Sequence, residues 1–269
     1  MTAVKISDLS MTFGAGTPAQ VNALDHVNAD IAEGEFISLI GPSGCGKSTM
    51  LRLIGDLLEP TSGGVEVFGK PSAQARLDRD YGMVFQQAGL FDWRTVSANV
   101  ELPLELMGHS KADRSTRSRQ MLELVELGDF GKSYPWQLSG GMQQRVAIAR
   151  ALSFSPRLLL MDEPFGALDE MTRENMQTEV LRIHKELGTT IIFVTHSIAE
   201  AVFLSNRVIV LSPRPGRIHS IIDVELGRRD AAIRESAEFF KKTTEVREAL
   251  RGIESGGIES GGIETGDPQ

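Results

Sequence analysis

The chain has 269 residues, 41% of them hydrophobic and 24% charged, with a formal net charge of −8. That composition fits a globular protein with a sizeable core, and the acidic balance argues against nucleic acid as the main partner. One cysteine, Cys45, excludes an intramolecular disulfide and fits a reducing compartment. The N-terminal MTAVKISDLS lacks the apolar stretch of a signal sequence. No run reaches the ~18 apolar residues that a membrane-crossing helix needs, so any role at a membrane is expected to come through a partner.

Short β-rich runs recur in chain order: VKI at 4–6, FISLI at 36–40, VEVF at 65–68, GMVF at 82–85, LLLMD at 158–162, IIFVT at 191–195 and RVIVL at 207–211. Several are continuously apolar, as in strands buried on both faces. Helical spacing follows Lys47 and recurs around 115–127 and at 171–187. The alternation predicts an α/β core with a mainly parallel sheet. Residues 88–154 carry helical signals and few strand signals, and are read as a helical insertion. One main domain is expected over 1–220 and a helical C-terminal extension over 221–250. The Gly/Ser-rich pentad repeat in 251–269, ending GIESGGIETGDPQ, has too little apolar surface for a core and is expected to be disordered.

FISLIGPSGCGKSTMLRLI gives strand, glycine loop and helix, and residues 41–48 match the P-loop pattern. Backbone N–H groups of the loop, which runs through Gly41, Pro42, Ser43, Gly44, Cys45 and Gly46, are expected to surround phosphate oxygens. Lys47 adds charge near the β- and γ-phosphates, Ser48 a hydroxyl for Mg²⁺, and Thr49 a contact at the α-phosphate. The helix N-terminus favours the anion. The Cys45 side chain is read as structural, a small residue that fits the loop; were its thiol reachable, nucleotide binding would be sensitive to alkylation.

LLLMDEP ends a strand in two carboxylates. Asp162 is placed to hold Mg²⁺, and Glu163 is the candidate general base for the attacking water. His196 and Gln86 end further strands at the same sheet edge. His196 is assigned to the γ-phosphate and the water, Gln86 to Mg²⁺ or the water. Phe13, in SMTFGAG, is a candidate for stacking on adenine or an ordinary core residue. LSGGMQQR at 138–145 is a second glycine motif. The helix it opens has an apolar stripe at Met142, Val146, Ala149 and Leu152, which leaves Ser139, Gly140 and the helix start able to face a γ-phosphate. The residues thus describe a Mg-dependent ATPase with ATP and Mg²⁺ as ligands. A P-loop kinase acting on a metabolite would not need the second motif.

Taken together, Phe13, GPSGCGKST, Gln86, LSGGMQQR, LLLMDEP, GALD at 166–169 and His196 resemble the nucleotide-binding subunit of an ABC transporter over roughly residues 4–220. The resemblance implies a P-loop NTPase core of ABC ATPase type, with an antiparallel β subdomain and a helical insertion. It aligns Phe13 with the adenine-stacking loop, Gln86 with the Q-loop, Asp169 with the D-loop and His196 with the H-loop. Ser139, Gly140 and Gly141 match the signature that acts in trans, across a dimer of two such subunits. Phrases such as WRTVSANVELPLEL and EAVFLSNRVIVLSPRPGRI are similar to nitrate/sulfonate/taurine importers. They imply a membrane permease as partner, a substrate-binding protein acting indirectly, and a peripheral place on the cytoplasmic face of the inner membrane. The sequence departs from the usual pattern at Asp92, Met142, Gly166 and Asn206. A soluble ABC-type ATPase not coupled to transport is the alternative; the single cassette, the lack of long heptads and the acidic balance weigh against it.

Overall fold

In chain order, β1 (Thr2–Phe13) and β2 (Val21–Ala32) pair as a long hairpin, and β3 (Phe36–Ile40) leads through the glycine loop into α1 (Lys47–Ile54). Then come β4 (Ser62–Val67), the two-residue β5 (Lys70–Pro71), α2 (Ser72–Asp78) and β6 (Tyr81–Val84). Three helices follow: α3 (Val96–Leu106), α4 (Lys111–Leu124) and α5 (Gly140–Leu152). The chain continues with β7 (Leu158–Asp162), α6 (Glu170–Leu187), β8 (Thr190–Val194), α7 (Ile198–Leu204), β9 (Arg207–Leu211), β10 (Ile218–Asp223) and α8 (Ala237–Gly256). The computed structural model describes residues 1–256 apart from Ala167.

Six strands form one sheet in the order β10-β9-β3-β8-β7-β6, parallel except for the β10 edge. The continuous apolar runs are explained by this sheet's two covered faces. Phe36 and Ile40 of β3, with Leu159, Met161, Ile191 and Phe193, point into a core shared with α3 to α8. Their neighbours Ile37 and Leu39, with Leu158, Leu160, Ile192 and Val194, point into a second core shared with α1 and the other sheet. That second sheet has the order β2-β1-β4-β5 and is antiparallel. Both side-chain sets of each strand are therefore buried, and alternation disappears from the sequence.

The β1–β2 hairpin is longer than the sequence suggested, which marked only residues 4–6 and missed β2. The pairing shifts register at several points, and Asp8 and His26 both have positive φ. Such irregularities change the phase of the apolar alternation and hide a strand from a period-of-two reading. Between 88 and 154 the described elements are helices and short helical turns, with α3, α4 and α5 packed on one another.

The C-terminal region differs from expectation. Residues 218–223 form β10, paired with β9 inside the main sheet. Phe239, Val246 and Ile253 of α8 are buried in the core that contains Phe36 and Phe193. Helix α8 also runs through residues 251–256, which the pentad reading had placed in a disordered tail. Burial of Ile253 outweighs the poor helix propensity of the Gly/Ser composition around it. The remainder of that tail, 257–269, lies outside the described residues. No described helix is long and apolar enough to cross a membrane.

Candidate functional site

The P-loop is fixed from below. Gly46 has φ 102, and a Cβ there would lie 2.6 Å from Leu24 Cδ2 and 2.9 Å from the Ala23 carbonyl oxygen. The loop thus passes too close to β2 for any side chain at this point, in a conformation that L-residues avoid. Lys47 is 7% exposed. Its ammonium donates to the carbonyls of Gly41 at 2.8 Å and Pro42 at 3.0 Å. Ser48 Oγ donates to Asp162 Oδ1 at 2.7 Å, which ties the start of α1 to the end of β7. Burial pushes the Asp162 carboxyl up, partly opposed by the Ser48 hydrogen bond and by Arg52.

Glu163 follows with φ 45, in the left-handed region. Its N–H donates to the Val194 carbonyl at 3.0 Å, so the backbone is held in this costly conformation by β8. Its Oε2 lies 3.3 Å from His196 Nδ1 and accepts from Gln86 Nε2 at 3.5 Å. Three strand ends, those of β6, β7 and β8, therefore deliver Gln86, Glu163 and His196 to one point. The His196 side chain is 70% exposed and free to meet a ligand.

These residues line one cleft of about 480 Å³ with Phe13, Ser43, Gly44, Gly46 and the Lys47–Thr49 turn. Phe13 ends β1 and is 40% exposed at the cleft rather than buried as core. The sequence reading missed Arg214, which also lines the cleft. Its loop is drawn there by Gly216, whose N–H donates to the Ala23 carbonyl and whose carbonyl accepts from Asp25. Nothing local to SPRPGR signals this; the contact depends on β2, almost two hundred residues earlier.

The Cys45 thiol is not reachable. Its side chain is 1% exposed and belongs to the core beneath the loop, with Sγ 3.7 Å from Lys47 Nζ. It does not line the cleft. The native protein is therefore expected to resist iodoacetamide with or without ATP, and to react once unfolded. Intact-mass analysis across a urea series reads this directly; fast ATP-protected alkylation of folded protein contradicts the burial.

Ser139, Gly140, Gly141 and Asp169 lie outside this cleft's lining. Ser139 caps α5 by accepting from the Met142 N–H at 3.3 Å. Asp169 caps α6 by accepting from the Thr172 N–H at 3.0 Å, and hydrogen bonding at this helix start holds its carboxyl below the usual range. The two helix starts touch: a Cβ on Gly141 would fall 2.9 Å from Leu168 Cδ2 and 3.6 Å from Thr172 Cγ2. Gly140 is exposed, and a Cβ added there would point into open space. On α5, Val146, Ala149 and Leu152 are fully buried and Met142 packs beside them, as the stripe predicted.

The chain thus pairs a P-loop cleft with a separate exposed helix start of the sequence SGG. Residues 24–166 match the family model described as ABC transporter. The chain belongs to the ABC transporter family. This cassette is 44% identical to the taurine import ATP-binding protein of Jannaschia sp. over 255 residues, covering 94% of both chains. It is 45% identical to the nitrate import ATP-binding protein of Synechocystis sp., covering 94% of this chain and 96% of the relative. Among solved structures it is similar to the dimeric post-hydrolysis state of the ATP-binding cassette MJ0796 bound to ADP and Pi. That match has a TM-score of 0.75 at 38% identity, covering 83% of this chain and all of the other. The fold is that of an ABC ATPase cassette, an ATP-binding subunit with import-type relatives.

Proposed function

We infer that this cassette hydrolyses ATP to power uptake of a small solute of the sulfonate, taurine, nitrate or cofactor-precursor class through a membrane permease. The observation that carries the reading is the meeting of Gln86, Glu163 and His196 over a P-loop. A cassette that only bound nucleotide would not need a carboxylate in a strained backbone site beside a histidine. The import-type relatives support the transport half of the reading.

Each residue has a role that follows from its place. Backbone N–H groups of the loop receive the phosphates, and Lys47 exchanges its bonds to the Gly41 and Pro42 carbonyls for phosphate oxygens. Ser48 and Asp162 put a hydroxyl and a carboxylate side by side, hard oxygen donors suited to Mg²⁺; Gln86 adds an amide oxygen. When bound, Mg²⁺ supplies charge neutralisation at the phosphate oxygens. Glu163 accepts the proton of a water as its oxygen forms a bond to the γ-phosphorus, and the bond to the β–γ bridging oxygen breaks, leaving ADP and inorganic phosphate. His196 orients the water and the γ-phosphate.

Phe13 receives the adenine face. Phe13→Ala is expected to weaken ATP binding about fivefold, on the ~1 kcal/mol scale of aromatic stacking. Titration with a fluorescent ATP analogue reads this; unchanged affinity removes Phe13 from the site.

Two copies close on two ATP molecules, the Ser139–Gly141 helix start of one completing the cleft of the other. The dimeric relative bound to ADP and Pi supports this arrangement. Trp93 and Leu106, 75% and 72% exposed, lie in the segment following Gln86 and offer apolar surface to a permease. The subunit would sit peripherally on the cytoplasmic side of the inner membrane, with the substrate-binding protein engaged only through the permease.

Affinity purification of the tagged full chain from its own membranes tests the whole reading. A polytopic membrane protein should co-purify, and the complex should release phosphate from Mg-ATP but not from ATP in EDTA. Mg-dependent hydrolysis without a membrane partner points to the soluble ATPase instead.

A further inference from the structure

A chain of polar side chains runs from the C-terminal region to the residues around His196, through the interior. Thr195, 2% exposed, donates from Oγ1 to Glu200 Oε2 at 2.5 Å and accepts from the Ser197 N–H at 3.0 Å. The two bonds bracket His196. Glu200, 7% exposed on the first turn of α7, accepts at Oε1 from Gln177 Nε2 at 3.2 Å. Gln177, 2% exposed on α6, accepts at Oε1 from the Arg234 guanidinium at 2.5 Å. Arg234 lies in the 3-10 turn Ala231–Glu235, with its guanidinium 3.7 Å over the Phe203 ring.

A branch leaves at Glu200. Arg173 Nε lies 3.6 Å from Glu200 Oε1, and its other arm donates to the Leu168 carbonyl at 2.9 Å. Leu168 is the residue that abuts Gly141. The same carboxylate therefore braces both the His196 turn and the segment against the SGG helix start. Each Gln177 amide atom has one partner, Arg234 on one side and Glu200 on the other. Losing Arg234 leaves the buried Gln177 carbonyl unpaired; the side chain is then drawn toward another donor, which loosens its hold on Glu200.

We propose that Arg234 is a positioning residue for ATP hydrolysis: through Gln177 and Glu200 it fixes the backbone on either side of His196 and braces the Leu168 segment. This rests on the hydrolytic role proposed for the cleft. Among the described residues, the partners of Arg234 are Gln177, Glu174 and Phe203, none of which lines the cleft, so it governs turnover and not nucleotide affinity.

Purified full-length Arg234→Ala, Arg234→Lys, Gln177→Met and the Arg234→Ala/Gln177→Met double variant test it. Steady-state phosphate release from Mg-ATP, ATP-analogue affinity and melting temperature are measured for each. Arg234→Ala and Gln177→Met should each lower kcat by about ten- to a hundredfold, up to the scale on which remote misplacement of a reacting group acts, with KM and affinity unchanged. The double variant should fall no further than either single one, because both break the same link. Arg234→Lys should recover part of the loss, since an ammonium still reaches one acceptor but lacks the planar stack on Phe203. Wild-type kcat in Arg234→Ala, a raised KM at constant kcat, multiplicative losses in the double variant, or losses that track melting temperature overturn the proposal while leaving the hydrolytic reading intact. An unmodified chain that releases no phosphate overturns both.

Discussion

Glu163→Gln is expected to bind Mg-ATP with unchanged affinity, to lose turnover by about 10²–10⁴-fold, the usual contribution of a general base, and to accumulate as an ATP-bound dimer. The amide is isosteric, so its Oε1 and Nε2 still fit between Gln86 Nε2 and His196 Nδ1, and the fold should be untouched. What disappears is a carboxylate able to take the proton of the attacking water. Without hydrolysis, the closed state has no route to open. Phosphate release, ATP-analogue titration and light scattering in Mg-ATP measure the three effects. Turnover within a few-fold of wild type, or a protein that stays monomeric at saturating Mg-ATP, sinks the role given to Glu163.

Ser139→Arg is expected to leave ATP binding to the isolated chain intact and to reduce hydrolysis at least 10²-fold, the scale of losing a preorganised donor at a developing charge. The reason is geometric. Ser139 caps α5 and Gly140 stands exposed beside it, yet neither lines the cleft of its own chain. A long cation there would block the approach of a second copy without touching the P-loop. The sharper form mixes Ser139→Arg with Lys47→Ala. Each homodimer is defective in both of its sites. A mixed dimer joins the Lys47 of one chain to the Ser139 of the other at a single intact site, so mixing should restore part of the activity. Loss of ATP binding in isolated Ser139→Arg shows that the segment acts within its own chain, and no recovery on mixing argues against a shared site.

Much of the chemistry was legible because it sits in contiguous phrases. GPSGCGKST specifies its own turn, since Gly46 must accept a conformation closed to other residues and pass under Leu24. LLLMDEP ends a buried strand in Asp162 and Glu163, and the strand's apolar run announces where it stops. Features that depend on distant pairing were not legible. Strand β2 hid behind irregular register against β1. Arg214 reaches the cleft only because Gly216 hydrogen-bonds to β2. The Gly/Ser composition around Ile253 concealed a helix that its burial stabilises.

By itself, then, the sequence determined the class of core, the P-loop, the carboxylate pair and the glycine helix start, because each is encoded by residues close together in the chain. Only the tertiary structure decided that Gln86, Glu163 and His196 share one point, that Cys45 faces the core, and that Gly141 stands against Leu168 with Ser139 outside the cleft of its own P-loop. It also decided that Arg234 reaches the His196 turn through Gln177 and Glu200. The physical reason is common to all four. Hydrogen bonds and packing between residues tens to hundreds of positions apart are set by sheet order and helix packing, and no local pattern of residues records them.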